Sequence, residues 1–266
     1  MSQSLKTGER LVNQHGEKTL AEWEDLLKKK ALSTRQVYLY CLWEYYKSKG
    51  VEKPEFSKRS MELREVRDQA MKEQKTSEKQ KENWLSWEDV LRVREKVKEQ
   101  ADVNYIKNLN YLAVCLYTMM PPLRLDWASA MIHDAETPVP AAGNVLDIRG
   151  KTFHLRDYKT AKAHGPQALQ VPEALMTIIQ ASLKKFPRKA LLGAVRSLDT
   201  PITQSCLSHH LRSIFKAHSG RAVSVHILRR SWVSHEMKGQ PSLTEQEKRA
   251  KAMGHTWAIH QLYRNL

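Results

Sequence analysis

The sequence predicts a mostly α protein with a small antiparallel β-sheet, an α+β fold made of two domains. Helix-period patterns fill the first third and the last third of the chain, and short alternating apolar runs with turn signals cluster between residues 144 and 172. The chain has 266 residues, of which 41% are apolar, so it is long enough for one large domain or two modest ones.

The N-terminal region, residues 1–83, is predicted to be a small helical bundle. A helix through TRQVYLYCLWEYYKSK should begin with a cap at Ser33 and stop at Gly50. A charged helix, KRSMELREVRDQAMKEQ, follows it, and the stretch KEQKTSEKQKEN, which has no apolar residue, indicates a solvated helix end or a linker. The aromatic residues of the first helix are expected in the core of the bundle: Tyr38, Tyr40, Trp43, Tyr45 and Tyr46.

The second region begins with LSWEDVLRVREKV, in which Ser86 is expected to cap a helix, so a domain boundary is predicted near residue 83. The next helix, NYIKNLNYLAVCLYTMM, should end at Pro121-Pro122. Three β segments follow, NVLDIRG, TFHLRDYKT and QALQVP, with a turn at Gly150 between the first two. From PEALMTIIQASLKKF onward the pattern is helical again.

The charge of the chain indicates an anionic partner. Lys and Arg number 44 against 29 Asp and Glu, which gives a formal net charge of +15. Residues 84–266 hold 26 basic and 15 acidic side chains, so this region carries +11 of the total. Such a balance is typical of proteins that bind nucleic acid, although it also fits a basic protein with solvated lysines.

Cysteine usage and hydropathy suggest a soluble intracellular protein. Cys41, Cys115 and Cys206 are odd in number and form no CxxC motif, which favours free thiols in a reducing compartment. The N-terminus has no apolar run typical of a signal peptide, and no stretch approaches the roughly 20 apolar residues of a membrane span. We therefore expect no membrane partner.

The helix SVHILRRSWVSHEM contains the first candidate site residues. Ser224 is a plausible N-cap, and His226 and Arg229 are three residues apart, so they share one helix face. Arg230 is expected to point away from that face. An HxxR pair carries little weight by itself in a chain with 11 histidines.

Four further candidates lie elsewhere along the chain. Arg124 follows the double proline, and Lys159 lies at the end of a strand that leads into a hairpin turn. His255 comes directly after Gly254, which should end the helix TEQEKRAKAM as a glycine C-cap. Tyr263 lies on a short terminal helix eight residues after His255.

These residue types suit phosphoryl transfer to a tyrosine. The transition state gathers negative charge on the phosphate oxygens, which Arg124 and Arg229 can stabilise with bidentate hydrogen bonds. A histidine can take the phenol proton or bind phosphate when charged. No clustered Asp/Glu motif is visible, and Cys206 with His209 and His210 has no second ligand pair near in sequence, so these three are interpreted as helix residues and neither metal nor cofactor is expected.

In the order Arg, Lys, His-x-x-Arg, Gly-His, Tyr, the candidates resemble the catalytic set of the tyrosine recombinase (phage-integrase) family. The resemblance covers roughly residues 84–266, and residues 1–83 correspond to the helical core-binding domain of that family. The stretches PPLRLDW, YKTAK and HILRRSWVS are more similar to recombinases of eukaryotic transposons and large DNA viruses than to bacterial Xer proteins. Two features depart from the family pattern: the spacing from His255 to Tyr263 is eight rather than nine, and Asp126 stands at +2 from Arg124 where Glu at +3 is common.

The resemblance implies a site-specific recombinase or integrase that cleaves and rejoins duplex DNA through a 3′-phosphotyrosine intermediate. It implies a homo-tetramer on paired sites of double-stranded DNA, in the host nucleus for a eukaryotic or viral protein and otherwise in the cytoplasm. Lys159 would be the general acid, the first histidine would act as the base, and no ATP would be needed. The implied catalytic residues are Arg124, Lys159, His226, Arg229, His255 and Tyr263.

Several alternatives stay open at this point. A type IB DNA topoisomerase shares this logic but usually has Lys in place of the first histidine, and a non-catalytic DNA-binding module would have a decayed site. Lys162 flanks the same turn as Lys159 and could replace it as the acid. Tyr263 could be a packing residue, and His260, one turn before it, is expected at the surface.

Overall fold

A computed structural model of the chain describes residues 2–73, 78–254 and 256–263. The chain divides into two compact units, Met1–Lys75 and Thr76–Leu266. The predicted fold class, mostly α with a small sheet, is confirmed. Among the described residues, no helix combines the length and the apolar character needed to cross a membrane.

Within residues 2–73 the first unit forms four helices and no strand. Helix α2 begins with a capping box in which Thr19 and Glu22 satisfy each other's backbone N–H groups. Helix α3 begins at Leu32, after Ala31, so the prediction that Ser33 caps it is wrong. Leu32, the first residue of the helix, packs against the core of the unit. The helices are α1 Gln3–His15, α2 Leu20–Leu27, α3 Leu32–Ser48 and α4 Pro54–Lys72.

The core of the first unit is built mainly on α3. Tyr46 is buried there with Leu39 and Leu42, as expected for Tyr46. The other expected aromatic side chains that pack against this core are only partly buried: Tyr38, Trp43 and Tyr45. Tyr40 is exposed, so the expectation that it lies in the core is wrong. It follows Leu39 directly, and neighbouring positions on a helix point in different directions.

The second unit contains the remaining helices. Ser86 and Ser224 cap α6 and α11 through their side chains, as predicted. The predicted linker stretch, residues 72–83, is helical over Glu78–Glu82, and residues 74–77 lie outside the described residues. The helices are α5 Glu78–Glu82, α6 Trp87–Lys98, α7 Tyr105–Thr118, a 3-10 helix Asp126–Ser129, α8 Ala161–His164, α9 Glu173–Lys185, α10 Gln204–Ser219, α11 Val225–Lys238, α12 Leu243–Ala252 and α13 Trp257–Leu262.

The sheet of the second unit has four strands in the order β1-β2-β3-β4. The pairs β2–β3 and β3–β4 are antiparallel, as expected, but β1 runs parallel to β2, so the sheet is mixed rather than wholly antiparallel. A separate two-stranded ribbon, β5–β6, was not predicted. The strands are β1 Met131–His133, β2 Val145–Asp147, β3 Thr152–Leu155, β4 Gln167–Gln170, β5 Gly193–Ala194 and β6 Ser197–Pro201.

One apolar core joins the helices and the sheet of the second unit. The rings of Trp127, in the 3-10 helix, and Phe153, in β3, stack with their centroids 4.0 Å apart. Leu112 of α7 and Leu228 of α11 are fully buried in the same core. This packing fixes three segments relative to one another: the turn that carries Arg124, the end of β3, and α11.

Candidate active site

The backbone carbonyl of Gly254 accepts hydrogen bonds from two of the predicted segments. The Arg124 guanidinium Nη1 donates to it at 3.4 Å, and the Thr160 hydroxyl donates to it at 3.5 Å. Helix α12 ends at Ala252 with Met253 as its C-cap, and Gly254 follows with a φ of +66°, a conformation that favours glycine, so the predicted glycine stop lies one residue beyond the C-cap. The turns that carry Arg124 and Lys159 therefore converge on the end of α12.

The backbone of Arg124 is held in place by a contact with the core of the second unit. It follows the double proline that ends the α7 segment, and its carbonyl accepts a short hydrogen bond from the buried Tyr117 hydroxyl. The Arg124 side chain is half-buried, so its guanidinium remains within reach of a bound anion. The core therefore holds the backbone from which the Arg124 side chain extends.

Arg229 is buried, with only 2% of its surface exposed, and it ties the same two segments together. Its Nη1 donates to the Pro122 carbonyl at 2.7 Å, and its Nη2 donates to the Met253 carbonyl at 3.0 Å. Desolvation lowers the pKa of Arg229, but an arginine begins so high that it stays charged at neutral pH. Arg229 therefore fixes both the Arg124 turn and the end of α12.

Tyr263 lies beside Arg229 and His226. Its hydroxyl is 3.3 Å from Nδ1 of His226, the two rings meet edge to face with centroids 5.2 Å apart, and the Arg229 guanidinium carbon is 5.8 Å from the centre of the phenol ring. His226 and Tyr263 are 37 positions apart in sequence but lie in one cluster. The candidate nucleophile Tyr263 is therefore next to an imidazole that can accept its proton and next to a buried cation, Arg229.

His226 is neutral at physiological pH. Desolvation by the surrounding protein lowers its pKa to about 4, and the positive charges of Arg230 and Arg229 act in the same direction. The residue itself is exposed to solvent. A neutral imidazole whose Nδ1 carries no proton can accept a hydrogen bond from the Tyr263 hydroxyl and then take its proton.

Arg230 is a site residue that the sequence analysis missed. It was expected to point away from His226, but it is buried, and its charge is the larger of the two arginine contributions that lower the pKa of His226. Its own pKa is lowered by desolvation and raised by Tyr263. The expectation was wrong because His226 and Arg230 are four residues apart, a spacing that puts two side chains on the same helix face just as a spacing of three does.

Asp126 is the acidic residue of the site. It is buried at the start of the 3-10 helix, and burial raises the pKa of its carboxyl, while the charges of Arg124 and Arg229 act against the rise. An acid at this position balances part of the positive charge of the two arginines. The sequence singled out this residue because it stands two positions after Arg124.

The two candidate acids lie on the connection between β3 and β4. Lys159 and Lys162 are both exposed, Lys159 in the turn before α8 and Lys162 within it. Lys159 is the direct neighbour of Thr160, which contacts the Gly254 carbonyl, so the backbone at Lys159 adjoins the Arg124 cluster. Both lysine side chains extend from this turn into solvent.

The sequence analysis considered two other histidines near Tyr263, His255 and His260. His255 lies outside the described residues. His260 was expected at the surface, but its exposed fraction is 0%, and desolvation lowers its pKa to about 4. The expectation was wrong because α13 turns His260 towards Trp232 of α11, with ring centroids 6.4 Å apart, while Trp257 and Ile259 of the same helix are exposed.

Metal ligation finds no support within the residues that the structure describes. Cys206, His209 and His210 lie on α10, and His210 faces the Asn110 side-chain oxygen at 3.4 Å. In residues 2–73, 78–254 and 256–263, no three His, Cys, Asp or Glu side chains come together as a metal site would require.

Comparison with known proteins gives a likeness of fold. No family model matches the sequence, and no curated protein matches it. The chain is similar in fold to XerA recombinase. The alignment with the crystal structure of that protein covers 98% of this chain and 84% of the other, with a TM-score of 0.50 and 12% identity. At this identity the likeness shows the fold alone.

Proposed function

We propose that the protein is a site-specific DNA recombinase that breaks and rejoins duplex DNA with Tyr263 as the nucleophile. The observation that carries the proposal is the cluster of Tyr263 with a neutral His226 at 3.3 Å and the buried Arg229 beside its ring. Arg124 reaches the carbonyl of Gly254, which follows the Met253 carbonyl bound by Arg229, so both arginines belong to one site. The likeness in fold to XerA recombinase supports the proposal at the level of architecture.

The cleavage step balances with these groups alone. The Tyr263 oxygen forms a bond to the scissile phosphorus, and the bond from phosphorus to the 5′ oxygen breaks. The phenol proton passes to His226, and Lys159 gives a proton to the departing 5′ oxygen. One phosphodiester replaces another, so the bond energy is kept in the 3′-phosphotyrosine, and attack by a 5′-hydroxyl reverses the step.

In this proposal the arginines stabilise the negative charge that develops on the phosphate oxygens in the transition state. A guanidinium can bind two phosphate oxygens at once, and preorganised donors of this kind are typically worth on the order of 3 kcal/mol each. Arg229 and Arg230 are desolvated, which strengthens their interaction with a buried anion relative to water. His255, which resembles the second histidine of the family, is proposed as a further phosphate contact.

The two parts of the chain are proposed to have different roles on DNA. Residues 84–266, with a charge of +11, would bind the scissile phosphates, and residues 1–83 would be the core-binding domain that closes round the duplex. Recombination needs two sites, so we propose four protomers on paired sites.

Two other functions differ from this one in the side chains that they would need at the cluster. A type IB topoisomerase would use the same nucleophile, but His226 stands where that class usually has lysine. A non-catalytic DNA-binding module would have no need for a phenol hydroxyl beside a neutral imidazole.

The test is covalent trapping on a random duplex library, followed by sequencing of the cut ends. The wild-type protein should form a denaturant-resistant adduct, and Tyr263→Phe should keep duplex binding and lose the adduct because only the nucleophilic oxygen is removed. Tyr105→Phe is the matched control, since the Tyr105 hydroxyl donates to the Gly193 carbonyl away from the cluster. An adduct that survives in Tyr263→Phe would mean that another residue is the nucleophile.

A further inference from the structure

Asn144 is a buried polar residue that the proposed chemistry does not use. It directly precedes β2, and only 2% of its surface is exposed. A buried amide is stable only when its donors and acceptor are paired, so its partners indicate what it holds.

The Asn144 amide binds the segment just before Lys159. Its Oδ1 accepts from the backbone N–H of Arg156 and from that of Asp157, both at 2.9 Å, and its Nδ2 donates to the Asp157 carbonyl at 2.8 Å. Three backbone groups within two residues are thus fixed by one side chain. Asp157 is two residues from Lys159.

The same amide reaches the segment just after Arg124. Its Nδ2 lies 3.1 Å from the Ser129 hydroxyl and 3.4 Å from the Asp126 carbonyl. These contacts join the 3-10 helix to the end of β3. They are longer than the three contacts to Arg156 and Asp157, so the Lys159 side of the link is the tighter one.

Beyond Lys159 the segment is anchored again. The buried Tyr158 hydroxyl donates to the Gly165 carbonyl at 2.6 Å and accepts from Gln167 at 2.9 Å, which closes residues 158–165 into a loop. Thr160 contacts the Gly254 carbonyl. The backbone at Lys159 therefore lies between fixed points, while its side chain extends into solvent.

We propose that Asn144 is the positioning residue of the general acid: it sets the backbone from which Lys159 reaches the departing 5′ oxygen. The proposal rests on the proposed function. It assigns no contact between Asn144 and DNA, because the amide is buried and its groups are bound within the protein.

The leaving group of the cleavage step provides the test. A duplex that contains the recovered cut site is prepared with a normal 5′ oxygen or with a 5′-bridging sulfur at the scissile position. Sulfur leaves without protonation, so a defect confined to the general acid disappears on the sulfur substrate. Lys159→Ala is the reference: it should be slow on oxygen and near the wild-type rate on sulfur.

Asn144→Ala should behave like Lys159→Ala. A misplaced catalytic group typically costs about 100-fold, so we expect cleavage of the oxygen substrate to slow by about that factor and to recover to within about fivefold of wild type on sulfur. The double variant should be no slower on oxygen than Lys159→Ala alone, because the second change acts through the first. Asn144→Asp keeps the acceptor but turns an oxygen towards the Asp157 carbonyl, so it should show the same sulfur recovery.

Asn108→Ala is the matched control. Asn108 is also a buried amide of the second unit, and it accepts from the Ser182 hydroxyl at 2.5 Å on the α7–α9 side of the core. Its removal should affect stability without changing the ratio of sulfur to oxygen rates.

Equal slowing of Asn144→Ala on oxygen and sulfur would overturn the proposal, as would failure of every Asn144 variant to fold when Asn108→Ala folds. In either case Asn144 would serve the fold and not the acid. The proposed function fails in a different way, when the wild-type protein forms no Tyr263-dependent adduct on any duplex.

Discussion

Replacing Arg229 should affect both stability and cleavage, whereas replacing Arg124 should affect cleavage alone. Arg229→Ala leaves the Pro122 and Met253 carbonyls without their buried donor. An unsatisfied buried group costs about 1–3 kcal/mol, so the two together lower the free energy of unfolding by about 2–6 kcal/mol. Arg124 makes one hydrogen bond of 3.4 Å from a half-buried position, for which we expect a loss below about 1 kcal/mol.

Urea unfolding followed by circular dichroism measures this difference. With an m-value of about 3 kcal/mol/M, the midpoint of the transition that reports the second unit should fall by about 0.7–2 M in Arg229→Ala. It should move by less than about 0.3 M in Arg124→Ala. Equal midpoint shifts for the two variants would contradict this expectation, because they would mean that the carbonyl contacts of Arg229 contribute nothing beyond those of Arg124.

Arg188→Ala separates stability from catalysis. Arg188 is also buried in the second unit, and it donates to the carbonyls of Phe186 and Leu191 rather than to the cluster. The Arg188→Ala variant should have a lower free energy of unfolding, as Arg229→Ala does. Under conditions in which it is folded, it should cleave at the wild-type rate. Arg229→Ala and Arg124→Ala should both lose about 100- to 1000-fold in cleavage rate with little loss of duplex binding.

Three further outcomes are expected. Desolvation lowers the pKa of the fully buried His260 to about 4, so between about pH 6.5 and about pH 4 the unfolded chain binds a proton that the folded chain does not. Stability should therefore fall as the pH falls through that range. His260→Gln should reduce this loss in urea midpoints measured at about pH 7 and about pH 5, and an unchanged pH dependence would contradict the assignment. Cleavage should continue in excess EDTA because Arg124 and Arg229 supply the positive charge, and a strict requirement for magnesium in the chemical step would exclude this mechanism. Paired cognate sites should exchange strands through a Holliday junction with little supercoil relaxation of DNA that lacks the site, whereas rapid relaxation of any plasmid without recombinant product would favour the topoisomerase.

Local sequence signals predicted the elements that are specified locally. Ser86 and Ser224 begin helices because a serine side chain can pair the free N–H groups of the first turn, and Gly254 ends one because it adopts a positive φ. Strand β1 carried no such signal, since Met131–His133 pairs in parallel with a strand that follows a long connection.

Which side chains of the site are buried and which are exposed was less predictable from the sequence than the positions of the helices. The buried positions of His260 and Arg230 contradict the usual preference of these residue types for the surface, and the exposed Trp257 and Ile259 contradict the opposite preference. Asn144 gave no signal at all, because its partners lie far from it in sequence and bind it through backbone groups that any residue supplies. Such contacts depend on the folded arrangement and not on a local pattern.

The short helix α13 has a consequence for the kinetics of cleavage. It has six residues, its one fully buried side chain is His260, and a hydrogen bond of 2.6 Å from Gln261 to Gln246 links it to α12. A segment with so little buried surface opens with a free energy well below that of global unfolding. In the proposed mechanism Tyr263 reacts only while α13 is docked, so the observed rate constant would be the chemical rate constant multiplied by the docked fraction. Substitutions in the His260 contact would then scale the rate and the amide hydrogen exchange of α13 together, without altering the pH dependence of the chemical step.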